Sequence, residues 1–96
     1  MDPMRVSADL FGRGCRLPVA LWVLSRESGR FYQSEPPAEL GPPTAVRQEL
    51  ARLARAGLLV EERSEGGNRV YYNRTDSPLW RVFAEAADVI ANSDAG

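Results

Sequence analysis

The chain predicts an α+β fold, mostly helical, in a single domain. Three observations predict it. Apolar residues recur at helical spacing in three separate segments. Two short runs rich in β-favouring side chains flank a Ser-Glu-Gly-Gly-Asn turn late in the sequence. The length of 96 residues, with 44% hydrophobic and 26% charged positions, suits one globular domain and no more.

The elements follow in order. Residues 1–16 are expected as a lead-in. Leu10 and Phe11 can pack on the domain, while Gly12 and Gly14 interrupt any long helix. Residues 17–27 read as a helix with Pro18 in its first turn, where the missing N–H is harmless. Leu17, Ala20, Leu21 and Leu24 share a face that Trp22 and Val23 widen, and Ser28 and Gly29 end it. Phe31 and Tyr32 form a short extended pair. A brief helical piece over residues 34–40 follows, with Ser34 as N-cap and Pro36 and Pro37 in its first turn. Gly41 stops it, and Pro42 and Pro43 make a stiff turn.

Residues 44–56 carry the strongest helical pattern. Val46, Leu50 and Leu53 give one apolar face, Gly57 is a natural C-cap, and Glu49 with Arg52 offers a surface pair. Residues 58–63 and 69–74 read as the two strands of a hairpin. Asp76 or Ser77 caps a final helix with Pro78 in its first turn. Leu79, Val82, Phe83, Ala86, Ala87 and Ile90 give that helix a broad apolar face, with Trp80 adding to it. The domain proper spans residues 17–91, and residues 92–96 are expected as a flexible tail.

Composition narrows the chemistry. The 12 basic residues are all arginine, there is no histidine, and Cys15 is the one cysteine. No all-protein zinc site or intrachain disulfide can be built from that set, and most general-base and nucleophile–histidine schemes are gone. Glu61 and Glu62 are adjacent on a strand, so they point to opposite faces and make no carboxylate pair. An enzyme is therefore not expected, and neither is a cofactor or a metal. The longest apolar stretch, residues 17–24, is far short of the roughly 20 residues of a membrane span. With no signal peptide visible and a lone thiol, the expected location is cytoplasmic.

The net charge of -1 is unevenly distributed. Residues 1–43 are neutral, residues 44–74 carry a net +2, and residues 75–96 carry a net −3. The basic excess lies on the strongest helix and the hairpin. The order helix, short helix, tight turn, longer helix, hairpin, helix is the layout of a winged helix-turn-helix. Here that means a two-stranded β-hairpin wing and a C-terminal dimerisation helix.

The residues Leu40-Gly41-Pro42-Pro43-Thr44-Ala45-Val46, Leu50, Leu53, Gly57-Leu58-Leu59-Val60 and Gly67-Asn68-Arg69-Val70-Tyr71-Tyr72 carry a family likeness. Across residues 10–90 the chain resembles ArsR-like transcriptional regulators. The resemblance implies a homodimer that binds double-stranded DNA, as a repressor, with its first and last helices at the dimer seam. The chain departs from that family in a shorter, proline-bearing turn before the longer helix. It also lacks the cysteine pairs and histidines of the metal-sensing members, so metal sensing is not carried over.

A helix fits the DNA major groove, where Gln reads adenine and Arg reads guanine in bidentate fashion. Helical rotation away from the Val46/Leu50/Leu53 face puts Thr44, Gln48, Ala51, Arg52 and Arg55 opposite, with Arg47 on the flank. Ala45 and Ala51 are small enough to let the helix approach closely. Arg63 and Arg69 on the hairpin, and Arg74 beyond them, are expected at phosphates or in a narrow minor groove. Leu79, Trp80, Phe83, Ala87 and Ile90 are the expected dimer interface. The alternative from another class is a protein–protein interaction module without DNA binding, docking through the hairpin and the acidic last helix.

Overall fold

Four α-helices and a three-stranded antiparallel sheet make up residues 1–94, the residues that the computed structural model describes. In chain order they are α1 (Pro3–Phe11), α2 (Arg16–Ser25), β1 (Arg30–Tyr32), α3 (Pro43–Arg55), β2 (Leu59–Arg63), β3 (Val70–Arg74) and α4 (Trp80–Asp94), with a single 3-10 turn, Ala38–Leu40, before α3. About half the chain is helical, so the α+β class holds.

The lead-in contains a helix of its own. Asp2 caps α1 by accepting the Met4 N–H at 3.0 Å, and Pro3 occupies the first turn. Its one buried residue is Ser7, whose hydroxyl donates to the Arg13 carbonyl and accepts the Leu17 N–H at 2.9 Å. That bond ties α1 to the start of α2. Phe11 packs on Phe83 of α4 with ring centroids 6.4 Å apart. Leu10, expected to pack, is 70% exposed.

α2 ends at Ser25, two residues before the expected limit, because Arg26 is already extended. Leu17, Val19, Ala20 and Val23 are buried and fill the middle of the molecule. The expected helix over residues 34–40 shrinks to the 3-10 turn. Consecutive prolines push the residue before each of them out of the α region, and Pro37 itself sits at ψ 152. Gly41 follows with φ +151, and a Cβ there would lie 3.1 Å from the Cys15 Cβ, so glycine alone lets Cys15 close against the turn.

α3 closes with two reciprocal bonds. Leu58 N–H reaches the Leu53 carbonyl at 2.9 Å and Gly57 N–H reaches the Ala54 carbonyl at 3.1 Å. This is a Schellman ending, and Gly57 adopts the left-handed φ +85 it requires.

The expected two-stranded hairpin gains a third strand. β1 pairs antiparallel with β3, giving the order β1-β3-β2, with Phe31 opposite Tyr72 and Tyr32 opposite Tyr71. Residues opposite one another share a face. Phe31 and Tyr72, each 2% exposed, therefore point together into the core, where they meet α2, α3, Leu58, Leu59 and Trp80. Tyr32 and Tyr71 share the outer face. Thr75 Oγ1 donates to the Gly57 carbonyl and Ser77 Oγ accepts the Leu79 N–H, which leads the chain into α4. Residues 92–94, expected in the tail, are helical; residues 95–96 lie outside the described residues.

Candidate nucleic-acid interface

The buried face of α3 consists of Val46, Glu49, Leu50 and Leu53. Glu49 is the one acidic residue in the helix, and it is 2% exposed. A carboxylate so placed needs compensating charge and hydrogen bonds. Three arginines supply them. Arg16 Nε lies 2.8 Å from Oε1, while Arg52 Nη1 and Arg13 Nε lie 2.7 and 3.1 Å from Oε2. The expected surface pair of Glu49 with Arg52 is thus an i,i+3 contact whose carboxylate is interior, and Arg13 before α2 and Arg16 at its start complete it.

Turning Glu49 inward removes the only negative charge from the outward side of α3. Thr44, Arg47, Gln48 and Arg55 are exposed there, and Ala45, Ala51 and Arg52 are half-buried at its margins. Arg47 and Arg55 make no ion pair among the described residues. Arg52 is engaged by Glu49, with 41% of its side chain still exposed. Gln48 Oε1 accepts from Arg13 Nη2 at 2.9 Å. Arg13 therefore stands beside the outward face, a neighbour that sequence reasoning missed. Its Gly-Arg-Gly context carries no local signal of a partner more than thirty residues away.

The hairpin arginines have separate fates. Arg63 is 74% exposed and its Nε sits 2.8 Å from Glu61 Oε1, on its own strand. Arg69 lies over the Tyr32 ring at 4.9 Å and faces no acid among the described residues. Arg74 is a correction. Its Nη1 donates to the carbonyls of Val23, Leu24 and Arg26 at 2.7, 3.3 and 2.9 Å. It caps the end of α2, whose last carbonyls lack helical partners. Arg74 is a structural residue, not a phosphate-facing one.

On the outer face of the sheet a chain of contacts crosses all three strands. The Tyr32 and Tyr71 rings are 4.7 Å apart, Arg30 lies 4.1 Å over Tyr71, and Arg30 Nη2 reaches Glu62 Oε2 at 2.8 Å. Asn73 Nδ2 donates to Glu62 Oε1 at 3.0 Å. The Asn73 bond first, and Arg30 second, hold the Glu62 carboxyl below its ordinary pKa of 4.5. Hydrogen bonds from Tyr32 and then Arg69 lower the Tyr71 phenol below its ordinary 10.0.

The expected dimer residues on α4 also divide. Trp80 and Ile90 are 6% and 7% exposed and belong to this chain's own interior. Trp80 Nε1 donates to the Leu58 carbonyl at 3.0 Å, and its ring packs on Phe83 at 5.9 Å. Phe83 and Ala87 are half-buried. Leu79 is 50% exposed, joined by Val82 at 54% and Val89 at 55%. A groove of about 380 Å³ runs beside them, lined by Leu53, Ala56, Leu58, Leu79, Val82 and Phe83 together with Arg16, Glu49 and Arg52.

Among the described residues no helix is long and apolar enough to cross a membrane, and no group of three His, Cys, Asp or Glu side chains is placed to hold a metal ion. Compared with protein-family models, with curated proteins and with solved structures, the chain matches none. The functional reading therefore rests on residues and geometry.

Proposed function

We propose that this chain is a winged helix-turn-helix protein that binds duplex DNA as a homodimer and represses transcription, in the manner of the ArsR-like regulators it resembles. The observation that carries the reading is the outward face of α3. Thr44, Arg47, Gln48, Ala51 and Arg55 present hydrogen-bonding and cationic groups with no acid among them, because Glu49 is turned inward. Such a helix face suits the major groove, with Gln48 toward adenine, Arg47 or Arg55 toward guanine, and Thr44 at a phosphate. β2 and β3 act as the wing, and Arg69 is its phosphate contact.

Few cations serve each subunit, so one copy would bind weakly; two copies double the phosphate contacts and meet two half-sites about 34 Å apart. For the second copy the exposed Leu79, just before α4, and Val82 and Val89 of α4 are the apolar contact, in place of the interior Trp80 and Ile90. The test is retention of duplex DNA at low and moderate salt, followed by selection of bound sequences from a random pool. A palindromic pair of half-sites is the expected product. If no duplex is retained at low salt, the DNA reading fails and the protein-interaction alternative takes its place.

A further inference from the structure

Four arginines belong to the sheet or border it: Arg30, Arg63, Arg69 and Arg74. Three are committed. Arg30 is paired with Glu62, Arg63 with Glu61, and Arg74 with the carbonyls that end α2. Arg69 alone faces no acid among the described residues, and what it faces is aromatic. Its guanidinium lies 4.9 Å over the ring of Tyr32, which in turn packs 4.7 Å from Tyr71, and it hydrogen-bonds the Tyr71 phenol as well. Tyr32 is not part of the hairpin. It reaches the wing because β1 pairs with β3, which sets Tyr32 opposite Tyr71.

We propose that Tyr32 is a positioning residue for the wing cation that no acid neutralises, holding Arg69 with Tyr71 in an orientation that meets a DNA backbone phosphate. The inference rests on the DNA-binding reading above and adds to it a residue from outside the hairpin. A guanidinium on an aromatic face keeps its full charge and its outward N–H groups. Holding it there removes side-chain freedom before contact, so less is lost when the phosphate is engaged. An acid in the same place would hold the side chain equally well and cancel the charge. The ring holds the side chain without cancelling that charge, which is what a phosphate contact needs.

The experiment measures duplex affinity against salt concentration for the full chain and for Arg69→Ala, Tyr32→Leu, Tyr32→Phe and the double variant Tyr32→Leu/Arg69→Ala. Removing Arg69 should lower the slope of log affinity against log salt by about one, equally on all sequences. Tyr32→Leu should weaken binding about two- to fivefold, the range of one exposed cation–π contact. Tyr32→Phe keeps the ring under Arg69 but removes the hydroxyl that bonds Tyr71 and Arg69, so it should retain more affinity than Tyr32→Leu. In the Arg69→Ala background Tyr32→Leu should have no further effect. Thermal unfolding of each variant separates a loss of fold from a loss of contact, and the Arg69 side-chain proton shifts, moved by the ring in the wild type, report the contact directly. Wild-type affinity in Tyr32→Leu, or effects that simply add in the double variant, overturns the inference while leaving DNA binding intact. Failure of the wild type to retain duplex overturns both.

Discussion

Glu49 is a charge on the buried side of a helix, and its setting follows from who reaches it. At 240° around the helix from Pro43 it borders the Val46/Leu53 stripe, where a carboxylate normally turns to water. Arg13, Arg16 and Arg52 make the inward position tenable. Their side chains remain partly exposed, so removing the carboxylate lets them rehydrate in part. Glu49→Ala should therefore destabilise the fold by about 1–3 kcal/mol, a loss set by orphaned charge-assisted bonds and less than that of a fully buried pair. Denaturant unfolding reads it, and Glu49→Gln, which keeps an acceptor, should lose less.

Glu62 offers a titration at the same scale. Its folded pKa lies below 4.5, so its contribution to stability is present above that value and lost as pH falls through the folded pKa. Asn73→Ala removes the larger cause and should move the Glu62 pKa upward toward 4.5, measured by carboxyl-carbon NMR.

At the scale of elements, α2, α3, the hairpin and α4 were legible because each carries its own periodicity and its own stop. Gly57 is the clearest stop. Nothing lies within 4 Å of a Cβ built there, so Gly57→Ala tests backbone conformation alone. It should cost about 1 kcal/mol in thermal unfolding, the penalty of a left-handed L-residue. α1 was not legible. Its boundary signals are present, with Asp2 before Pro3 as a capped start and Gly12 at φ +76 as a stop, but its one buried residue is a serine held by hydrogen bonds, which hydrophobic spacing does not register. For β1 the sequence shows only an extended pair, because three residues become a strand only through the partner that β3 provides. The helix expected over residues 34–40 does not form. Its prolines are tolerated at a helix start, but two in succession leave room for only a 3-10 turn.

For the whole molecule, the arrangement of charge matters more than its sum. α4 and its approach hold the acidic excess, while Arg47, Arg55 and Arg69, exposed and in no ion pair among the described residues, belong to α3 and the hairpin. Arg47→Ala and Arg55→Ala should each reduce the salt slope of duplex binding by about one, read by fluorescence anisotropy across a salt series. In the proposed dimer, Val82→Glu should lower the mass found by sedimentation without lowering thermal stability, since Val82 is 54% exposed. Trp80→Ala should instead unfold the chain more readily, by about 3–5 kcal/mol, because that ring belongs to the subunit interior.

The sequence by itself determined the α+β class, three of the helices, the hairpin and the net positive segment that spans α3 and the hairpin. Local periodicity, caps and turn residues act over a few positions, and they are written in adjacent letters. Only the tertiary structure decided which charges remain available. It turned Glu49 inward, drew Arg74 onto the end of α2, set Arg69 on Tyr32 and placed Trp80 and Ile90 in the core. Each outcome depends on a partner far away in the chain, and an arginine's own letter does not say whether a carboxylate, a carbonyl or an aromatic ring will meet it.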